Sequence, residues 1–185
     1  MTVKKILFAL FFLCSILSGY SQSQHMKFLG IDLNCTMTTF VNKLKGKGFV
    51  QDMNTSHDNT VVMKGMFAGE KVKVEIKGAA KTHLICSVYV CFNLSTRYTY
   101  EALKNQLKDK YGEEYQEFNK IKEDEGFVQY STDYIIWNTD KDPDNGNCNK
   151  VVLSKCSYRG SSPFVISYID SKNSIIDLQE IKSDF

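Results

Sequence analysis

The sequence predicts an α+β fold on an antiparallel sheet: two tandem repeats of one helix followed by four strands, with a short helix at the C-terminus. Three observations predict it. An amphipathic segment from Tyr98 to Gly112 has β-type sequence on both sides. A weaker copy sits 63 residues upstream, where Phe40 matches Leu103, Asn42 matches Asn105 and Leu44 matches Leu107, with Lys45 and Lys47 matching Lys108 and Lys110. The turns between apolar runs are too short for the crossovers that parallel strands require.

Residues 1–21 read as a secretory signal peptide. Lys4 and Lys5 supply the charged start, Ile6 to Leu17 is an apolar run of 12 residues, and Gly19-Tyr20-Ser21 puts small residues at the cleavage positions before Gln22. The run is too short for a transmembrane span, which takes ~20 apolar residues. Cys14 would be the acylated residue of a lipoprotein signal, but Leu13 before it is not small and the apolar run continues past it. The chain is therefore expected to be cleaved and exported, to the periplasm or the cell exterior. The first repeat is expected over 22–94 and the second over 95–185, together forming one compact unit.

The elements follow in order. Lys27 to Leu33 is a short extended lead-in. Thr36 or Thr38 caps a first helix, since a hydroxyl accepts from the unsatisfied first-turn amides. Met37, Phe40, Val41 and Leu44 then fall on one helical face, and Gly48 supplies a left-handed stop. Strands are expected over Val61 to Phe67 and Lys71 to Lys77. The second alternates Val72, Val74 and Ile76 against Lys71, Lys73, Glu75 and Lys77, the pattern of a half-buried strand. Leu84 to Phe92 is nearly all apolar and reads as a central strand. Ser95, Thr96 or Thr99 caps the second helix, Tyr100, Leu103, Leu107 and Tyr111 line one face, and Gly112 ends it. Phe127 to Tyr130 and Tyr134 to Asn138 read as strands separated by a tight polar turn. Val151 to Tyr158 and Phe164 to Ile169 are two more strands, and Asn173 to Lys182 is the short last helix.

The opening MKFLGIDLNCTMTTFVNKLKGKGF, the helix end LKDKYG and the final strand VISYID resemble a family of uncharacterised exported proteins from gut Bacteroidetes. Those motifs are structural and bring no catalytic residues with them. The order of elements resembles the tandem α/β fold of the β-lactamase inhibitor protein and of small outer-membrane assembly lipoproteins. That likeness implies protein binding through the face of a curved sheet.

Charge narrows the partners. Loss of residues 1–21 removes two of the 23 basic residues and no acidic one, leaving 21 of each sign. Only Arg97 and Arg159 are arginines, and no clustered basic face for nucleic acid is legible. The exported form keeps five cysteines, an odd number, so at least one thiol stays unbridged. No C-x-x-C is present, which speaks against zinc and redox chemistry.

Catalytic groups are sparse. His25, His57 and His83 have no local nucleophile partner, and the G-x-S-x-G elbow is absent. No catalytic residue is assigned and no organic cofactor is expected. Asp140, Asp142 and Asp144 repeat at alternate positions like the start of a calcium loop, the one metal the sequence offers. Asn145 stands where that loop wants glycine and Val151 where it wants glutamate, so the segment reads first as a solvated turn built on Pro143-Asp144-Asn145-Gly146, with calcium the weaker alternative.

Aromatics carry the functional expectation. Among ten tyrosines and one tryptophan, Tyr134, Trp137, Tyr158 and Tyr168 lie on or beside expected strands. Tyrosine and tryptophan enrich binding faces because each gives rigid area with a polar tip. Trp137 shares a strand face with Ile135, and Tyr134 shares the other with Ile136. The expected function is a non-enzymatic binding domain that takes a protein or a glycan on an uncovered sheet face. The alternative is an enzyme of unknown class or an envelope-assembly subunit.

Overall fold

The computed structural model describes residues 25–56, 59–93, 99–113, 116–124, 128–139, 149–157 and 163–176. A two-stranded hairpin opens it, β1 (Lys27–Phe28) with β2 (Ile31–Asp32). Helix α1 (Met37–Lys45) leads into β3 (Val50–Gln51), β4 (Thr60–Phe67), β5 (Glu70–Gly78) and β6 (Ile85–Phe92). Helix α2 (Tyr100–Tyr111) leads into β7 (Gln116–Asp124), β8 (Val128–Asn138), β9 (Lys150–Ser157) and β10 (Phe164–Ile169). Residues 171–176 form a short helical segment.

β3 to β10 make one eight-stranded antiparallel sheet in the order β3-β4-β5-β6-β10-β9-β8-β7. The strands after α1 fill one half and the strands after α2 the other. They meet where β6 pairs with β10. Helices beside an antiparallel sheet define an α+β fold.

Both helices start and stop for local reasons. The Thr36 hydroxyl accepts from the Thr39 amide, and the Thr99 hydroxyl from the Ala102 amide. Past α1, Gly48 takes φ 86°, and Gly112 takes φ 98° after α2. Phe40, Val41 and Leu44 of α1 and Leu103 and Leu107 of α2 are buried in one core with Val74, Val90, Ile135, Leu153 and Ile166 from the sheet. In that core the Phe49 ring lies against Gly65, where any Cβ would overlap it.

Both tight hairpins put left-handed backbone at their two central residues. Leu29 and Gly30 join β1 to β2 at φ 50° and 75°, and Ala68 and Gly69 join β4 to β5 at φ 50° and 79°. This is the mirror-image turn that matches strand twist, and it favours asparagine before glycine. Alanine at φ 50° crowds its own Cβ. Ala68→Asn is expected to stabilise the protein by about 0.5–1 kcal/mol. Thermal melting checks this, and a lowered midpoint would count against the strained-turn account.

The structure corrects two expected elements. Lys27 to Leu33 is not a single extended lead-in but holds the β1–β2 hairpin, turned at Leu29-Gly30. Tyr130 to Tyr134 contains no turn: β8 runs unbroken from Val128 to Asn138, paired with β7 from Asp124↔Val128 to Gln116↔Ile136. Ser131, Thr132 and Asp133 look like turn residues locally. Long-range pairing to β7 on one side and β9 on the other overrides that preference.

Candidate binding face

Side chains alternate along each strand, so register alone sorts the sheet into two faces. Val74, Val90, Ile166, Leu153 and Ile135 fall in one cross-strand row toward the helices. Rows of the other parity point away. One of them runs Lys64, Lys73, Cys91, Val165, Ser154, Tyr134 across β4, β5, β6, β10, β9 and β8. The next runs Val62, Glu75, Tyr89, Ser167, Val152, Ile136 over the same strands.

The second face is mixed. Its β4–β5 half carries exposed Lys64, Lys71, Lys73 and Lys77. Its β10–β9–β8 half is partly exposed, with Val165, Val152, Ser154 and Ile136 in the middle and Lys150 and Asn138 where β9 begins and β8 ends. Tyr89 and Tyr134 flank that strip, three strand spacings apart across the sheet and one row apart along it, or about 16 Å. Ser154 donates its hydroxyl to the Val165 carbonyl (3.4 Å).

Of the aromatic residues expected to bind, Tyr134 lies on this face and is partly exposed. Trp137 and Tyr168 do not. Trp137 is 0% exposed and Tyr168 3%, both in the helix-covered core, and a side chain with no surface cannot meet a partner. Parity is the reason: three residues separate Tyr134 from Trp137, so they take opposite faces, and Tyr168 pairs in register with Val151 and Val88 on the core side. Burial pushes the Tyr168 phenol well above its usual range, with Tyr111 adding to it. Tyr158, Asp140, Asp142 and Asp144 lie outside the described residues. Tyr89, a strand tyrosine of the sequence that was not among the four residues expected to bind, also lies on this face. Its signal was two-residue spacing from Ser87 and Cys91 inside a run apolar at nearly every position.

The face has its own electrostatics. Asp52 and Lys64 pair at 2.8 Å, and the hydrogen bond from Lys64 holds the Asp52 carboxyl below the usual carboxylate range. Glu75 and Lys77 pair at 3.3 Å, and the Lys77 ammonium also lies 5.1 Å from the Tyr89 ring centroid. Desolvation pushes the Cys91 thiol up, with nearby Glu75 adding to the shift and Lys73 opposing it. Desolvation likewise raises Cys35. Both therefore sit as protonated thiols at neutral pH, the unreactive form.

A second polar group lies under α2 on the core side. The Tyr100 hydroxyl is buried with no hydrogen-bond partner among the described residues, and burial raises its phenol pKa, with Asp133, Glu117 and Glu101 adding to it. Lys104 grips both carboxylate oxygens of Glu117 at 3.2 and 3.1 Å. Among the described residues no three His, Cys, Asp or Glu side chains converge as a metal site, and no helix is long and apolar enough to cross a membrane. No family model, curated protein or solved structure matches this chain.

Proposed function

We propose that this protein is an exported, non-enzymatic binding domain that docks a partner protein on the sheet face turned away from α1 and α2. The carrying observation is the segregation of the sheet. Both helices pack on one face, while the other keeps Tyr89, Tyr134, Ile136, Val152 and Val165 partly exposed beside a lysine-rich half. Partly exposed aromatic and branched side chains with charge at the border match the composition of interfaces. The signal-like start of the chain supports export.

We read the two halves as tandem copies of one unit. Phe40 and Leu103, and Leu44 and Leu107, are equivalent at the 63-residue offset, and all four are buried in the shared core. Each copy of a helix and four strands would then complete its core against the other. The resemblance to the β-lactamase inhibitor protein points the same way, toward recognition by a sheet face.

A photo-crosslinking residue placed at Tyr134 or Ile136, in cells that export the chain, tests the reading. A discrete adduct is expected from either site and none from Glu101, which is exposed on α2. Equal labelling from Glu101, or no adduct from the sheet face, would remove it.

A further inference from the structure

The proposed face carries most of its charge along β4 and β5, with Lys150 on β9 in the same face, and among the described residues its lysines outnumber its carboxylates. Lys64 stands directly opposite Lys73 in the β4–β5 register. Like charges opposed across strands cost a sheet stability. Asp52 takes Lys64 and Glu75 takes Lys77. Lys71 and Lys73, both exposed, make no ion pair among the described residues. Lysines often guard a sheet edge against unwanted strand addition, but β5 is bonded to β4 on one side and β6 on the other. Edge protection therefore does not account for them.

The Tyr89 ring narrows the choice of partner. Sugars bind aromatic side chains by stacking on a bare ring face, and here the Lys77 ammonium stands over the ring. Beyond Tyr89 the surface offers the branched side chains Val165, Val152 and Ile136, interleaved with Ser154 and Tyr134. That mixture of fixed positive charge and dry apolar contact suits a protein surface.

We infer that the partner is an acidic protein surface, which sets carboxylates against Lys71 and Lys73 and apolar side chains against Val165, Val152 and Ile136. This rests on the sheet-face reading above and gives it a chemistry. The opposed lysines are then a cost in the unbound protein that docking relieves. Complementary charge also speeds encounter and makes the association sensitive to salt.

The test uses the exported form, Gln22 to Phe185, isotopically labelled, with three polymer probes: a random glutamate–tyrosine copolymer, polyglutamate and polygalacturonate. Amide shifts on β4, β5, β6 and β9 are expected with the copolymer, which should bind tightest of the three at about 0.15 M salt. Lys71→Glu with Lys73→Glu should weaken it at least about tenfold, and the Gln pair should weaken it less. Lys43→Glu with Lys45→Glu, the same charge change on α1, should leave it unchanged.

Equal loss from the α1 pair would mean unspecific attraction to a polyanion and would overturn the inference. Polygalacturonate binding as tightly as the copolymer would make the partner a glycan. Self-association that disappears with Lys71→Glu would make the occupant a second copy of this chain. If Tyr134→Ser weakens the copolymer while the β5 pair does nothing, the face binds but its partner is not acidic, and only this inference falls. If neither change matters, the sheet-face reading falls with it.

Discussion

Trp137→Ala is expected to destabilise the protein by about 3–5 kcal/mol, the range for emptying a large aromatic site in a packed core. Trp137 is fully buried on β8 and is directly cross-strand from Val151. Its indole N–H donates to the Gly112 carbonyl at 3.2 Å, so it also ties the end of α2 to the sheet. Alanine removes that bond along with the packing. Domains hold only about 5–15 kcal/mol in total, so the loss is a large fraction. A melting midpoint lower by about 10 °C or more is expected. Trp137→Phe separates the two contributions: it keeps most of the apolar area and loses the hydrogen bond, worth about 1 kcal/mol. Because Trp137 is the single tryptophan, its emission reports this core directly in the parent protein. A loss below about 1 kcal/mol for Trp137→Ala would contradict the burial. Any effect on partner binding should follow the unfolded fraction, unlike Tyr134→Ser, which should act on a folded protein.

The contrast between Tyr134 and Trp137 shows where sequence reasoning ran out. Period-two alternation places them on opposite sides of β8, but it does not say which side the helices cover. That is decided by α2 packing across strands far away in the chain. Locally determined features were legible. The i, i+3, i+4 spacing of Met37, Phe40 and Val41 marks α1, Thr99 caps α2, and the alternation from Lys71 to Lys77 marks β5. The lysine face of β5 was visible as a solvated surface, but its opposition to Lys64 needed the register. The polar run Ser131-Thr132-Asp133 misled because its extended conformation comes from β7 and β9, not from the residues themselves. The most distant contacts left almost no trace. Asp170 followed by Asn173 is the spacing of a helix cap, and the Asp170 carboxylate does accept from the Asn173 amide. Nothing in that spacing announces a link to residues 144 positions earlier.

That link supports the second large effect: Asp170→Ala is expected to cost about 3–5 kcal/mol and to loosen the start of the fold first. The Asp170 side chain has no exposed surface, yet it is satisfied from several sides. The Met26 amide donates to Oδ2 at 3.0 Å, with His25 Nδ1 at 3.1 Å from the same oxygen, and the Asn173 amide donates to Oδ1 at 3.1 Å. Asn173 carries the connection onward, donating its side-chain amide to the Leu33 carbonyl at 3.2 Å and the Ile85 carbonyl at 2.9 Å. Two residues just past β10, Asp170 and Asn173, thus fasten the β1–β2 hairpin and the start of β6. Alanine at 170 would strand buried donors, each costing about 1–3 kcal/mol. Asp170→Asn should rescue only part of the loss, because one carboxylate oxygen becomes an N–H₂ group. If that group replaces Oδ2, it faces the Met26 amide donor to donor. His25 is partly exposed, so water can replace its contact and His25→Ala should cost far less. Hydrogen exchange separates this mechanism from general weakening. The Leu33 amide, bonded to the Met26 carbonyl at 2.8 Å, should lose protection in Asp170→Ala before the central strands do. In Trp137→Ala the loss should instead spread through the core. Uniform loss in both variants would mean that Asp170 contributes to overall stability alone and does not fasten the N-terminal hairpin.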